Sequence, residues 1–202
     1  MRHIAPAQIL DWWFGTTGPD GVSPSEIRKR WFQGGAQVDK EIAERFGGAV
    51  EAARSGALAD WVERDPDALA LILLTDQFTR NVYRGTPEMF AADPIALDVA
   101  HRLIESGRHE RYPNQQRVFI YMPLMHSENL DDQNECIQLF EQLVAEADTD
   151  AQRDAFASNV DYAIRHRDIV ARFGRFPHRN ATLGRETTPE EAEFLTQPGS
   201  RF

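Results

Sequence analysis

Five prolines set the grammar of this chain. Each stands directly behind a residue type that starts helices: Ser23-Pro24, Asp65-Pro66, Thr86-Pro87, Asp93-Pro94 and Thr188-Pro189. A side-chain acceptor at the N-cap satisfies an orphan backbone N–H, and proline at the next position lacks an N–H that had no partner anyway. Asp131 and Asp132, and Ser25 with Glu26, read as further acidic first turns. Glycines such as Gly15, Gly34-Gly35, Gly107 and Gly174 supply stops. No stretch alternates apolar and polar residues for long enough to make a strand. The spacing therefore predicts an all-α fold of about nine helices, near 6–14, 24–33, 36–54, 66–83, 94–106, 113–127, 131–147, 150–174 and 188–196, with loops over Gly15–Ser23 and Phe176–Thr187. Short connections favour antiparallel neighbours.

At 202 residues the chain suits a single domain, 1–202, that buries roughly 70% of its unfolded surface without a metal or disulfide. Its one cysteine, Cys136, has no intramolecular partner. The longest apolar run, Ala68–Leu74, is seven residues, far short of the ~20 that span a bilayer. The opening Met1-Arg2-His3-Ile4-Ala5-Pro6 has no apolar signal core. A cytoplasmic location is expected, with no membrane association. A net charge of −10 disfavours nucleic acid. Nothing in the sequence signals an oligomeric state.

That charge is unevenly spread. Val118–Gln152 holds eight acids and no Lys or Arg, whereas Arg165–Arg185 holds six arginines against Asp168 alone. Either the blocks face solvent and complement each other, or an acidic body carries a basic pocket that concentrates a small anion. Arginines number 20 and lysines 2, a skew that also follows from a GC-rich genome.

On a wheel of 100° per residue, Leu71, Leu74, Phe78 and Val82 share one side of the helix near 66–83, and Leu69 and Leu73 share the other. A helix apolar on two sides is interior. The second stripe then turns polar through Asp76, Arg80, Tyr83 and Arg84, with Gln77 beside it. It runs either into a cleft or out into solvent, where Asp76 and Arg80 form an ordinary surface pair. In the helix near 150–174, Arg167 projects from an apolar stripe and must find an acid, a carbonyl or a ligand.

Three segments carry a resemblance. They are Asp76-Gln77-Phe78-Thr79-Arg80-Asn81-Val82-Tyr83-Arg84-Gly85-Thr86-Pro87, Tyr121-Met122-Pro123-Leu124-Met125-His126-Ser127-Glu128, and His166-Arg167-Asp168 continuing to Phe176-Pro177-His178-Arg179-Asn180; the opening Ile9-Leu10-Asp11-Trp12-Trp13-Phe14-Gly15 agrees. The chain resembles the bacterial domain-of-unknown-function family number 924 over nearly its whole length. Thr79 departs from that pattern, where proline is expected. The resemblance implies an all-α fold similar to a tetratricopeptide-like array of antiparallel helix hairpins, and it implies no activity, substrate or catalytic residue.

Residue chemistry alone then nominates a ligand-binding set: Asp76, Arg80, Tyr83, Arg84, His126, Glu128, His166 and Arg167. If the segments converge, they form an Arg-rich cleft suited to a carboxylate or phosphate, because each guanidinium offers two parallel N–H donors. Trp12, Trp13 and Trp31 read first as core and second as a stacking wall. His126-Ser-Glu128 and His166-Arg-Asp168 are i, i+2 pairs that point apart on a helix, and no H-E-x-x-H or Cys cluster exists, so neither a metal nor another cofactor is expected. Cys136 lies in an acidic stretch that disfavours its thiolate. Ser127 between His126 and Glu128 cannot form a relay from one segment. Three readings follow: a module binding a small anion or an acidic peptide terminus, a hydrolase-like enzyme with a His general base and Arg anchors, or a scaffold whose ion pairs only fix helix register.

Overall fold

The computed structural model describes residues 4–16, 18 and 21–201, and the backbone alone at 32 and 33. Residues 1–3, and the part of the 15–23 loop at 17, 19 and 20, lie outside the described residues. Helices α1 (Pro6–Phe14), α2 (Ser25–Gln33), α3 (Gly35–Arg54), α4 (Asp65–Ile72), α5 (Thr79–Val82), α6 (Asp93–Glu105), α7 (Asn114–His126), α8 (Leu130–Ala145), α9 (Asp150–Phe173) and α10 (Pro189–Phe194) follow in order. There is no strand among the described residues. A π turn at Leu73–Phe78 joins α4 to α5 as one rod, which makes nine rods among the described residues, against about nine expected.

The starts sit where proline placed them, but the caps are not the expected ones. Of the five residues expected to cap at the prolines, Thr188 alone does so through its side chain: its hydroxyl accepts from the Glu191 N–H at 3.2 Å, and the Glu191 carboxylate accepts from the Thr188 N–H at 2.8 Å. Ser23 precedes the cap position, which Pro24 occupies, and Thr86 makes no side-chain cap bond. Asp65 and Asp93 lie inside the first turn, with carboxylates drawn to Arg108 at 2.6 Å and Arg80 at 2.8 Å. A charge-assisted bond to guanidinium outcompetes a neutral backbone donor. Thr188→Ala is expected to cost about 1 kcal/mol, a melting point lower by roughly 2–4 °C in thermal denaturation.

The rod α4 runs through the middle. Every residue from Ala68 to Leu74 is at most 2% exposed, as an all-round apolar helix requires. It packs against α1, α6 and α7. Trp12, Trp13, Phe46, Phe78 and Phe119 interlock at centroid distances of 5.2–6.1 Å. Trp12 and Trp13 are therefore core. One connected set of buried side chains reaches from α1 to α9. From α6 to α9 each helix packs on the next in sequence. The amino-terminal half is knit differently: α1 rests on α4, and α3 on the π turn and α5. No described helix is long and apolar enough to cross a membrane.

Candidate functional site

The π turn places the first site residue. Such a turn closes i→i+5 and holds one residue more than an α turn, so all that follows is set back by about 100°. The straight-helix wheel thus fails beyond Leu73. Two threonines occupy the turn's free acceptors: Thr75 Oγ1 donates to the Leu71 carbonyl at 2.7 Å, and Thr79 Oγ1 to the Thr75 carbonyl at 2.9 Å. The hydroxyl of Thr79 is a local partner that proline lacks.

Asp76, in this turn, is 0% exposed. Its carboxylate takes the His126 Nδ1 at 2.7 Å, the Gln77 Nε2 at 2.6 Å and an Arg80 Nη2 at 3.2 Å. Burial alone would raise its pKa, but the charges of His126 and Arg80 outweigh burial and hold it well below the usual carboxylate range. An ionised acid on Nδ1 fixes the ring's tautomer and leaves Nε2 on the opposite edge.

His126 ends α7, and its position is held from three sides. Gln133 of α8 donates through Nε2 to the carbonyls of Met125 and Ser127 at 2.6 and 2.7 Å, satisfying acceptors at the end of α7. Arg179 donates to the His126 carbonyl at 2.9 Å. Asp76 holds the ring.

Arg80, Arg84, His126 and His166 line one cleft of about 680 Å³ together with Arg30 and Arg179. The polar stripe therefore enters a cleft rather than open solvent. Arg80 is bidentate to Asp93, at 2.8 and 3.2 Å, and Arg84 is bidentate to Asp39, at 2.6 and 2.8 Å. Arg179 lies 3.5 Å from Asp93 and over the rings of Phe90 and Phe176, with Nε buried and without a hydrogen-bond partner. Burial, with Arg80 nearby, pushes its pKa down to about 10. Arg30 donates to the Trp12 carbonyl, lies 4.2 Å from the Trp12 ring centroid, and has no ion pair among the described residues. Among the described residues, four guanidiniums line the cleft and the carboxylates ion-paired to them are three (Asp39, Asp76 and Asp93), an excess of one positive charge. Glycine 34 and left-handed Gly35 turn α2 into α3 at the wall of the cleft. A Cβ on Gly34 would sit 2.8 Å from the Arg30 carbonyl oxygen, so only glycine fits the corner. The first turn of α3 has neither a side-chain cap nor an acid, which leaves its positive end open to an anion.

Two further imidazoles line the cleft. Burial pushes His166 down to about 3 and His178 down to about 4, so both are neutral near pH 7. His166 Nδ1 donates to the Tyr162 carbonyl at 2.8 Å. Among the described residues, no group of three or more His, Cys, Asp or Glu is placed to hold a metal ion.

The rest of the nominated set lies elsewhere. Tyr83 packs under Arg54, 4.4 Å from the guanidinium. Glu128 accepts from the Phe176 N–H at 2.8 Å and is bidentate to Arg185, so it ties down the carboxy-terminal segment. Arg167 is not buried in an apolar stripe: it is 34% exposed and paired to Asp168 at 2.7 Å. The basic block is similarly dispersed. Arg172 and Arg175 hold Glu190 and Glu191 of α10, Arg165 lies over the Tyr162 ring, and only Arg179 lines the cleft. The acidic block meets it through one ion pair, Glu128–Arg185. Of the tryptophans, Trp31 is a wall, stacked on Trp13. Arg30 and Asp39 lie outside the matched motifs and carry no sequence signal, and the Asp93 that pairs with Arg80 has the local signature of a cap. His178 and Arg179 stood in a matched motif with nothing local to separate them from their neighbours.

The fold and site define an all-α protein with an arginine- and histidine-lined cleft. The chain belongs to the family described as bacterial protein of unknown function (DUF924), which matches residues 9–199. It is similar to a solved structure, the protein of unknown function ATU0120 from Agrobacterium tumefaciens, at 39% identity and a TM-score of 0.76, covering 94% of this chain and 96% of that one. No curated protein matches it.

Proposed function

We propose that the cleft binds a small organic monoanion, a carboxylate before a phosphate. The observation that carries this reading is the surplus guanidinium charge, four against three, in a chain whose net charge is −10. Such a pocket in an acidic body draws in a small anion and repels a polyanion. Arg30 and Arg179 are the anchors, because Arg80 and Arg84 are already bidentate to acids. Cys136, fully buried, fits a reducing cytoplasm. The test is calorimetry and thermal shift with monocarboxylates, dicarboxylates, phosphates and nucleotides. Carboxylates are expected to stabilise the protein, and Arg30→Gln to weaken them by about tenfold or more, the loss of one charge-assisted bond. No stabilisation by any anion, or undiminished binding by Arg30→Gln, would sink the reading.

The Asp76–His126 pair favours a second reading, an enzyme with His126 as general base. A buried acid at 2.7 Å from Nδ1 orients imidazoles that take protons. Among the described residues no serine, threonine or cysteine lines the cleft, so the base would act on water or on a substrate proton. A hydrolase screen at several pH values should find turnover in the wild type and not in His126→Ala. Binding without turnover in either protein leaves the module.

A further inference from the structure

The cleft does not end at its charged wall. Met122, Met125 and Tyr162 also line a second pocket of about 210 Å³, which continues to Val118 and Phe140. Beside the Tyr162 phenol its polar residues are Ser158 and Asn159 of α9, and both, with Val118, also line a pocket of about 360 Å³ beside Arg28 and Lys29. Through these shared walls an apolar waist between α7 and α9 lies directly beside the guanidinium cleft. Met122 and Met125 are well suited to such a wall, since unbranched thioether side chains adapt to irregular apolar shapes. Nothing charged lines the waist, so it has no claim on an anion; it has room for what an anion carries behind it.

We propose that the ligand is amphipathic, a carboxylate with a linear apolar tail, its head among Arg30 and Arg179 and its tail lying over Met122 and Met125 toward Phe140. This rests on the anion-binding reading and adds the shape of the molecule. Each buried methylene is worth roughly fourfold in affinity, or ~0.8 kcal/mol.

The experiment is calorimetry with linear monocarboxylates of increasing chain length, from butanoate to decanoate, and with the primary alcohols of equal length. Affinity in the wild type is expected to rise roughly fourfold per methylene until the waist is filled, and the alcohols to bind far more weakly. Asn159→Trp, at a half-buried position on the waist, should remove the gain for long chains and leave butanoate unaffected; Ser158→Trp, on the exposed side, serves if that variant fails to fold. Equal affinity at all lengths overturns the tail while the anionic head survives. Alcohols binding as tightly as carboxylates overturn the head alone. No binding by any of them overturns both.

Discussion

Asp76→Ala is expected to destabilise the protein by about 3–5 kcal/mol, the cost of breaking a buried ion pair from one side. For a chain of this size that is a melting point lower by roughly 6–20 °C. Asp76 is fully buried and carries three donors at once, from His126, Gln77 and Arg80. Its removal strips the imidazole of its acceptor and leaves Arg80 with Asp93 and the Met89 carbonyl. Asp76→Asn keeps the volume and one acceptor, and should lose less. Thermal and urea denaturation of the two variants separates charge from shape. An alanine variant as stable as the wild type would show that Asp76 contributes no net stabilisation to the join between the π turn and α7.

Acid is expected to unfold the protein earlier than carboxylate protonation requires. In the unfolded chain each imidazole takes up a proton near 6.5; in the fold, burial delays this to about 3 for His166 and about 4 for His178. Between those values the unfolded state holds more protons. Stability is therefore complete above pH 6.5 and declines as the pH falls toward 4, at up to ~1.4 kcal/mol per pH unit for each imidazole. Asp76 adds to the loss only further down, below its ordinary 3.8, because its pKa is depressed in the fold. Urea midpoints measured from pH 7.5 to 4.5 give the slope. His166→Gln should flatten it by one imidazole's share. A flat profile above pH 5 would mean that both rings reach solvent.

The two predictions share a cause, since burial next to charge decides both, and burial is the quantity a sequence reports least directly. The helices were legible because their signals are local. Proline behind a cap-type residue, glycine at a stop and an apolar run with no polar side each act within a few residues, and the rods begin and end close to where those signals fall. Even so, Asp65 and Asp93 carry the local signature of caps, while arginines from other elements hold their carboxylates. The π turn was invisible to a 100° wheel, since its extra residue is accommodated by tertiary packing and by the hydroxyls of Thr75 and Thr79.

The site was legible in part. Arg80, Arg84, His126 and His166 do line one cleft, with Asp76 buried behind His126. Tyr83, Glu128 and Arg167 come from the same motifs and lie outside it, because motif membership does not tell a side chain that lines a cavity from one that fastens a segment. Arg30 and Asp39 come from α2 and α3 and carried no motif at all.

By itself the sequence determined an all-α chain, an interior rod through Ala68–Leu74 and the family to which it belongs. Only the tertiary structure decided which of 20 arginines keep charge to spare. Helix formation is settled by neighbours along the chain, whereas the state of a guanidinium depends on which carboxylates packing brings within ion-pair range, and Asp39 and Asp93 reach Arg84 and Arg179 from distant helices.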